Sequence, residues 1–390
     1  MRRRRALAFI NGKRQSLTSV WRWERAAAAY VAVYNPVMGP RPVLDLDIHG
    51  RKVRLGERTL IMAALNVTPD SFSDGGLYLD PERAVEHGLE LARQGADWID
   101  VGGESTRPGS RRISAQEELE RVLPVIQGLR RKLRSTPISI DTTKAEVAEK
   151  AAQAGASILN DVSGLRFDPR LADVARRYKT ALILMHLRGR PETMQRRPFV
   201  KDIMQSVHRG LALSLQRALA AGLRRSQLIL DPGLGFGKSR FQNFEILALL
   251  GKLHRFGLPI LVGSSRKSFV QAIAAGADLH AVALHGSRSK KGGGAYWPIT
   301  GKHSTNPVLP VEAGIHPAAG EAQMSSVSLS LASAEDKLSG NYWEQAAALQ
   351  LGDAAAVVAS ILAGAHIVRV HDVAGVLPAV RIADAVLAAR

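Results

Sequence analysis

Eight short apolar runs, each followed by a polar residue, constrain the fold more than any other feature of this sequence. They span residues 60–65, 98–101, 137–140, 157–159, 181–185, 227–230, 259–262 and 366–370. Amphipathic segments that predict helices lie between them at residues 81–94, 115–134, 144–154, 200–221 and 243–255. Near-continuous apolar strands that alternate with helices are typical of a parallel sheet buried on both faces. The eight units therefore predict an α/β fold, a (β/α)8 TIM barrel.

Two segments fall outside this alternation of strand and helix. Residues 1–45 combine an arginine cluster, an alanine run and a Pro/Gly stretch, which predicts a basic, flexible N-terminal extension. Residues 277–345 contain a lysine–glycine run and a serine-rich run, which predicts a flexible insertion between strands seven and eight. The barrel would then occupy residues 46–390, with that interruption. Met38 is a second candidate for the first residue.

The net charge of +18 is unevenly distributed and limits the classes of partner. Residues 1–42 hold nine basic side chains and one acidic side chain, so a large part of the excess lies in the extension. This favours small anionic substrates or a basic tail over a dedicated nucleic-acid surface. The chain has no cysteine, which excludes disulfides and thiolate metal sites. No apolar run is long enough to span a membrane, and we expect a cytoplasmic protein without nucleic-acid or membrane partners.

Polar side chains stand at the carboxyl ends of the predicted strands. They include Asn66, Asp141, Asn160, His186, Asp231, Arg369 and His371. In barrels of this kind the carboxyl ends of the strands form one mouth, which holds the active site. One or two polar residues could simply end a strand, but a polar residue after every strand predicts a functional site at the mouth.

Two loops at this mouth have the composition of ligand-binding loops. Residues 66–76 are rich in Asn, Asp, Ser, Pro and Gly, which predicts a structured, mobile loop over the mouth. Residues 102–109 combine glycines, hydroxyls and an arginine, which suit phosphate oxygens. Residues 233–239 look like a third phosphate loop, but a Walker A motif requires glycine at the position of Pro232.

Motifs in a fixed order support a more specific interpretation. The first two are residues 66–76 and the stretch DVGGESTRPG at residues 100–109. DPG at residues 231–233, SRKS at 265–268 and RVHD at 369–372 follow. Together they resemble the dihydropteroate synthases, the folate-pathway branch of the pterin-binding barrel family. The likeness covers residues 55–276 and 353–387. It implies condensation of 7,8-dihydropterin-6-ylmethyl diphosphate with p-aminobenzoate to 7,8-dihydropteroate and pyrophosphate.

The resemblance implies a pterin pocket. Its residues would be Asp141, Asn160, Met185, Asp231, Phe236, Lys267 and Arg369. A pterin ring presents an amide N–H beside an exocyclic amine, and one carboxylate can accept both donors. The resemblance gives this role to Asp231. Met185 and Phe236 would line the ring faces, and Arg369 would stack on the ring.

The resemblance also implies the groups that act on the diphosphate. These are Asn66, Thr106, Arg369 and His371, and the implied catalytic set adds Arg107 and Lys267. Mg²⁺ would bind Asn66 together with substrate phosphates, since magnesium often has few protein ligands. The implied mechanism is dissociative, because pyrophosphate leaves before the amine of p-aminobenzoate attacks.

The p-aminobenzoate site and the assembly are implied in the same way. Phe72, Asp74, Pro108 and Ser268 would bind p-aminobenzoate, with Asp74 as a candidate partner of Arg107 when the loops close. The family is a sulfonamide target and commonly forms homodimers through barrel helices. Two alternatives stay open: a relative of methyltetrahydrofolate methyltransferases, and a pterin-binding barrel with altered catalysis. The long first loop and the diphosphate-directed residues argue against a methyltransferase.

Overall fold

A computed structural model describes residues 41–68, 80–105, 110–195, 198–274 and 340–389. The described chain begins with an antiparallel hairpin of β1 (Leu44–Ile48) and β2 (Arg51–Leu55). Eight parallel strands follow: β3 (Leu60–Asn66), β4 (Trp98–Gly102), β5 (Ile138–Asp141), β6 (Ile158–Asp161), β7 (Ala181–Met185), β8 (Leu228–Asp231), β9 (Leu261–Val262) and β10 (Ile367–Val370). Each overlaps one of the eight apolar runs, so the predicted barrel is confirmed.

The sheet closes into a barrel whose strand ends meet at one mouth. The strands pair in the order β8-β7-β6-β5-β4-β3-β10-β9. The two ends of this order join where Leu230 in β8 bridges Ile260, just before β9. The amide of Leu230 donates to the carbonyl oxygen of Pro259 at 2.9 Å. The strands are buried on both faces because side chains fill the interior and helices cover the exterior.

Helices occupy the segments between the strands. They are α1 (Pro81–Arg93), α2 (Ala115–Lys132), α3 (Ala145–Gln153), α4 (Leu171–Tyr178), α5 (Ile203–Ala220), α6 (Arg240–Ala248), α7 (Ser268–Ala274), α8 (Gly340–Leu362) and α9 (Val373–Ala388). Helix α1 starts where Asp80 caps it and Pro81 takes the first position, at the start of the predicted segment 81–94. The fifth predicted helix is divided into α6 and a 3-10 segment, Leu250–Phe256. Helix α4 was not predicted, because eight residues give too short a periodic signal.

The hairpin covers the amino-terminal end of the barrel. Leu46 and Leu55 are fully buried and pack with residues that begin the barrel strands, among them Met62 and Trp98. The alternating burial along β1 places one face on this core and the other toward solvent. The barrel floor is therefore closed opposite the mouth.

Arg41 anchors the start of the described chain. It is buried, and it donates to Thr59 Oγ1 and to the carbonyl oxygen of Ala365, both at 2.7 Å. It also pairs with Asp384 in α9 at 3.2 Å. Residues 41–45, which we assigned to the extension, therefore contact the barrel, whereas residues 1–40 lie outside the described part.

Helices α7 and α8 flank the predicted insertion and pack together. A Cβ built on Gly352 of α8 would lie 3.0 Å from the Cβ of Ala274 in α7. The last residues of the predicted insertion, 340–345, belong to α8, and residues 277–339 lie outside the described chain. Among the described helices, none is long and apolar enough to cross a membrane.

Candidate functional site

The mouth of the barrel opens into a cavity of about 630 Å³. The predicted ligand-binding residues that the structure describes all line it: Asn66, Asp141, Asn160, Met185, Asp231, Phe236, Lys267, Ser268, Arg369 and His371. His186, which we also expected at the mouth, lines a neighbouring cavity instead. Because parallel strands direct their carboxyl ends the same way, residues distant in sequence converge here. The volume lies in the usual range for small-molecule sites.

A buried network of charged groups forms the floor of the cavity. Arg369 Nε donates to Asp100 Oδ2 at 2.7 Å, and Arg369 Nη2 donates to Asp141 Oδ2 at 3.2 Å. Asn160 Nδ2 donates to the same Asp100 oxygen at 3.0 Å. The two carboxylates fix the guanidinium of Arg369 in one orientation.

Asp100 is a floor residue that the sequence reasoning missed. It is fully buried in β4, and its Oδ1 has no hydrogen-bond partner among the described residues. In the sequence it is the first residue of the DVGGESTRPG motif, and the motif alone assigns it no role. A signal for its role was present in the sequence, because Asp100 is a carboxylate inside an otherwise apolar run. Such a group is almost never buried unless it is paired, so its position predicts a buried ion pair.

Burial shifts the pKa of three groups that face the cavity toward neutrality. The pKa of Asp141 rises to about 7, because the group is buried and lies beside Asp100. Burial also raises the pKa of Asp231 to about 6. Burial, together with the charge of Arg369, lowers the pKa of Lys267 to about 8. Such clusters of shifted groups in a cleft are typical of functional sites.

An apolar wall rises beside this charged floor. Met185 and Phe236 belong to a small buried cluster that also contains Val162, Leu187 and Met194. The Nζ of Lys267 lies 4.1 Å from the centre of the Phe236 ring, within cation–π distance. A flat wall next to carboxylates and cations can hold a flat ring whose edge carries polar groups.

Lys238 holds the loop between β8 and α6. It is 2% exposed, and its Nζ donates to the carbonyl oxygens of His186, Gly233 and Phe236 at 2.9, 2.6 and 3.0 Å. Burial lowers its pKa to about 7. The ammonium binds backbone rather than a phosphate, which agrees with our rejection of a Walker A loop. No motif or spacing in the sequence indicates this role.

Glycine is required at the turn of this loop. Gly233 has a φ of +67°, and a Cβ there would lie 2.2 Å from the carbonyl oxygen of His186. A larger residue would push the loop away from β7. The DPG motif therefore holds Asp231 and Phe236 in their places around the cavity.

Asp353, in α8, holds the loop after β9. Ser265 Oγ donates to Asp353 Oδ2 at 2.9 Å, and the amide of Arg266 donates to the same carboxylate at 2.9 Å. Arg266 has a φ of 56°, which few residues adopt without such support. His371 Nδ1 lies 3.3 Å from Ser265 Oγ. Asp353 thus positions the loop that carries Lys267. Its role could not be predicted from the sequence, because it lies 87 residues from Arg266.

Several predicted residues lie outside the described part of the chain. They are Phe72, Asp74, Thr106, Arg107 and Pro108. The described ends of their loops, at Thr68 and Ser105, line the cavity. Both loops therefore start at the mouth.

The described residues offer few ligands for a metal ion. They contain no group of three or more His, Cys, Asp or Glu side chains that could hold one. Asn66 lies at the cavity, and a Cβ built on Gly102 would be 3.7 Å from its Oδ1 and 3.6 Å from the Cβ of Asp141. This sparse oxygen set fits a magnesium ion held mainly by substrate phosphates, which is the common arrangement for that ion.

The family model described as "Pterin binding enzyme" matches residues 62–291. Among curated proteins, the dihydropteroate synthase of Synechocystis is 47% identical over 218 residues, which are 56% of this chain and 75% of that protein.

Solved structures show the same likeness. A Yersinia pestis dihydropteroate synthase with a sulfonamide drug complex aligns with a TM-score of 0.66 and 32% identity, covering 89% of this chain and all of that one. A Xanthomonas albilineans dihydropteroate synthase in complex with 7,8-dihydropteroate aligns with a TM-score of 0.62 and 31% identity, covering 88% and 99%.

Proposed function

The chain belongs to the family of pterin binding enzymes, and on that premise we propose the reaction of its cavity. It is a transferase that condenses 7,8-dihydropterin-6-ylmethyl diphosphate with p-aminobenzoate, which is the dihydropteroate synthase reaction of folate biosynthesis. The observation that carries the proposal is the cavity floor, where Asp141 and Asp231 stand beside Arg369 and Lys267. The relatives favour this reaction over the methyltransferase alternative.

The charged floor and the apolar wall of the cavity would together recognise the pterin ring. The carboxylate of Asp231 accepts the ring N–H and the exocyclic amine, which are two donors side by side. Asn160 and Asp141 bond the other ring edges, and Lys267 donates to the ring oxygen and nitrogen. Met185 and Phe236 contact the ring faces. Because Asp231 has a pKa of about 6, it is mostly ionised at neutral pH and can accept both bonds.

The transfer step separates bond breaking from bond making. The C–O bond to the diphosphate breaks, and pyrophosphate leaves with the electron pair. The remaining cation is delocalised into the dihydropterin. The amine of p-aminobenzoate then attacks the methylene carbon and loses a proton. Arg369 and His371 lie at the mouth, where their donors stabilise the charge on the leaving oxygens.

Asn66 would hold Mg²⁺ together with the substrate phosphates. The bound ion would neutralise charge on the pyrophosphate. Thr106 and Arg107, from the second loop, would add donors to the same oxygens. Phe72, Asp74 and Pro108, from the loops, would enclose p-aminobenzoate with Ser268. The sulfonamide in the Yersinia pestis complex supports a similar susceptibility for this chain.

Product analysis tests the proposed reaction. Purified protein would be incubated with both substrates and Mg²⁺, and 7,8-dihydropteroate would be sought by mass spectrometry. We expect the product from the wild type and from Asp45→Asn, whose carboxylate lies on the hairpin and is half exposed. We expect a large loss of product from Asp231→Asn. A folded wild type that binds pterin but yields no dihydropteroate would contradict the proposed reaction.

We also propose a homodimer through α8 and α9. Leu351, Ile382 and Val386 are large apolar side chains on these neighbouring helices, with exposed fractions of 72%, 65% and 43%. Such a patch is typical of an interface between copies. Light scattering at micromolar concentration should give twice the chain mass, and Ile382→Glu should give a monomer. A monomeric wild type would contradict this assembly.

We also propose a cytoplasmic location, and this proposal rests on the absence of cysteine.

A further inference from the structure

A second cavity, of about 620 Å³, lies between the loop after β7 and helix α5. Met185 lines both cavities, so they are adjacent. Apart from Met185, no residue that we assign to the reaction lines the second cavity. Its volume also suits a small ligand. We refer to it below as the α5 cavity.

The walls of the α5 cavity are strongly basic. Its lining includes five cationic side chains, which are Arg166, Arg188, Lys201, Arg209 and Arg217. The one carboxylate in the lining is Asp202, whose Oδ1 caps α5 by accepting from the amide of Gln205 at 2.8 Å. His186 also lines the cavity, and burial lowers its pKa so that it stays neutral and adds no charge. The balance therefore favours an anion.

The cations stand close enough to repel one another at Arg166. Arg209 and Arg217 line the cavity from the exposed side of α5, and neither belongs to the ion pairs found in the part of the chain that the structure describes. Arg166 is held against the backbone, where its Nη2 donates to the carbonyl oxygen of Gly189 at 3.2 Å. Burial, and then repulsion from Arg217 and Arg190, lowers the pKa of Arg166. A bound anion would offset this repulsion between like charges.

The spacing of the two helix arginines limits the size of the ligand. Arg209 and Arg217 are eight residues apart on α5, slightly more than two turns, so they lie on one side of the helix about 12 Å apart along its axis. The guanidinium groups are strong, geometrically defined partners for phosphate oxygens. A chain of phosphates can contact both guanidinium groups without bringing the two like charges together on one group.

We propose that the α5 cavity is a second binding site, separate from the reaction, for an extended phosphate anion. Arg209 and Arg217 contact successive phosphates, and Arg166, Arg188 and Lys201 supply the surrounding positive potential. The phosphate chain could belong to a nucleoside triphosphate or to an inorganic polyphosphate. The proposal does not depend on the transferase activity, because it uses none of the groups that act on the diphosphate.

Calorimetry with inorganic tripolyphosphate tests this site. The full chain in magnesium-free buffer is titrated at low and moderate salt, and the number of sites is counted, since the catalytic mouth can bind one anion itself. We expect a second site whose affinity falls as salt rises. Arg209→Gln/Arg217→Gln should weaken that site at least tenfold and leave dihydropteroate formation within twofold. ATP in place of tripolyphosphate distinguishes the two sources, and orthophosphate should bind much more weakly.

A matched variant controls for the loss of two positive charges. Arg54→Gln/Arg176→Gln removes two exposed arginines from β2 and α4, outside both cavities. It should leave both tripolyphosphate sites unchanged. A single site in the wild type, or equal tripolyphosphate affinity in the two double variants, would overturn the proposal. Loss of the transferase reaction with the second site intact would instead count against the proposed function alone.

Discussion

At the end of β8, Asp231 presents a buried carboxylate to the cavity, and its pKa of about 6 leaves it charged at neutral pH. Asp231→Asn replaces an acceptor of two hydrogen bonds with an amide whose N–H₂ faces pterin donors. Bonds to charged groups contribute about 1.5 to 3 kcal/mol each, so pterin affinity should fall by roughly 100-fold. Fluorescence or calorimetric titration of the pterin substrate measures this, with Asp45→Asn as control. Equal affinities in both variants would refute the assignment.

The same raised pKa predicts how the substrate-free protein responds to pH. The folded protein holds the Asp231 proton more tightly than the unfolded chain, so stability contributed by this group falls as pH rises from about 4 to about 6. Relative to the wild type, Asp231→Asn should therefore gain about 2 kcal/mol of unfolding free energy across this range. Urea titrations at pH 4.5 and pH 7 measure the difference. A difference that does not change with pH contradicts the shift.

The sequence predicts the residues that would contact the ligand better than it predicts the residues that hold those side chains in position. Strand-end positions such as Asn160 and Arg369 follow from the barrel and the motifs. Asp100 and Asp353 bind other protein groups, and their roles depend on contacts between distant parts of the chain. No spacing along the sequence encodes those contacts, so only the structure identifies them.

At the scale of elements, the loop between β8 and α6 depends on Lys238. Lys238→Met keeps the volume of the side chain but leaves three carbonyl oxygens without their donor. We expect a loss of stability of about 1 to 3 kcal/mol. Displacement of Phe236 should also weaken pterin binding about tenfold. Chemical denaturation and pterin titration test both effects, and the exposed Lys252→Met is the control. Unchanged pterin affinity would show that the loop holds its shape without Lys238.

The hairpin of β1 and β2 should stabilise the barrel without affecting the site. Leu46 is fully buried at the closed end of the barrel, so Leu46→Ala should cost about 2 to 5 kcal/mol of unfolding free energy. Val43→Ala, at a half-exposed position beside it, should change stability by less than about 1 kcal/mol. Pterin affinity should stay the same in both. Weakened pterin binding by folded Leu46→Ala would mean that the hairpin is coupled to the mouth.

All eight barrel strands could be predicted because buried parallel strands are continuous apolar runs, which stand out between amphipathic segments. The hairpin could not. Its apolar residues are few, because β1 is Leu-Asp-Leu-Asp-Ile and β2 is Arg-Lys-Val-Arg-Leu, and its first residues fall in what looked like a basic extension, so the short alternating pattern was overlooked. Its place is set by burial of Leu46 and Leu55 against the strand starts, a tertiary contact with no local signature.

At the scale of the whole molecule, the barrel should work without its longest insertion. Helices α7 and α8 pack directly, with a Cβ on Gly352 only 3.3 Å from Val270, so described residues on either side of the insertion hold the two helices together. Replacing residues 281–339 with a short Gly/Ser linker should leave pterin affinity within twofold. Titration of the pterin substrate measures this. A folded deletion variant that no longer binds pterin would contradict the prediction.

Pyrophosphate release tests most directly whether this barrel performs the proposed reaction. Purified protein would receive the dihydropterin diphosphate, Mg²⁺ and p-aminobenzoate, with each omitted in turn. The account predicts sustained release only when all three are present, with dihydropteroate formed in equal amount. Pterin bound at the mouth without any release would contradict it, and the barrel would then be a binding protein rather than a transferase.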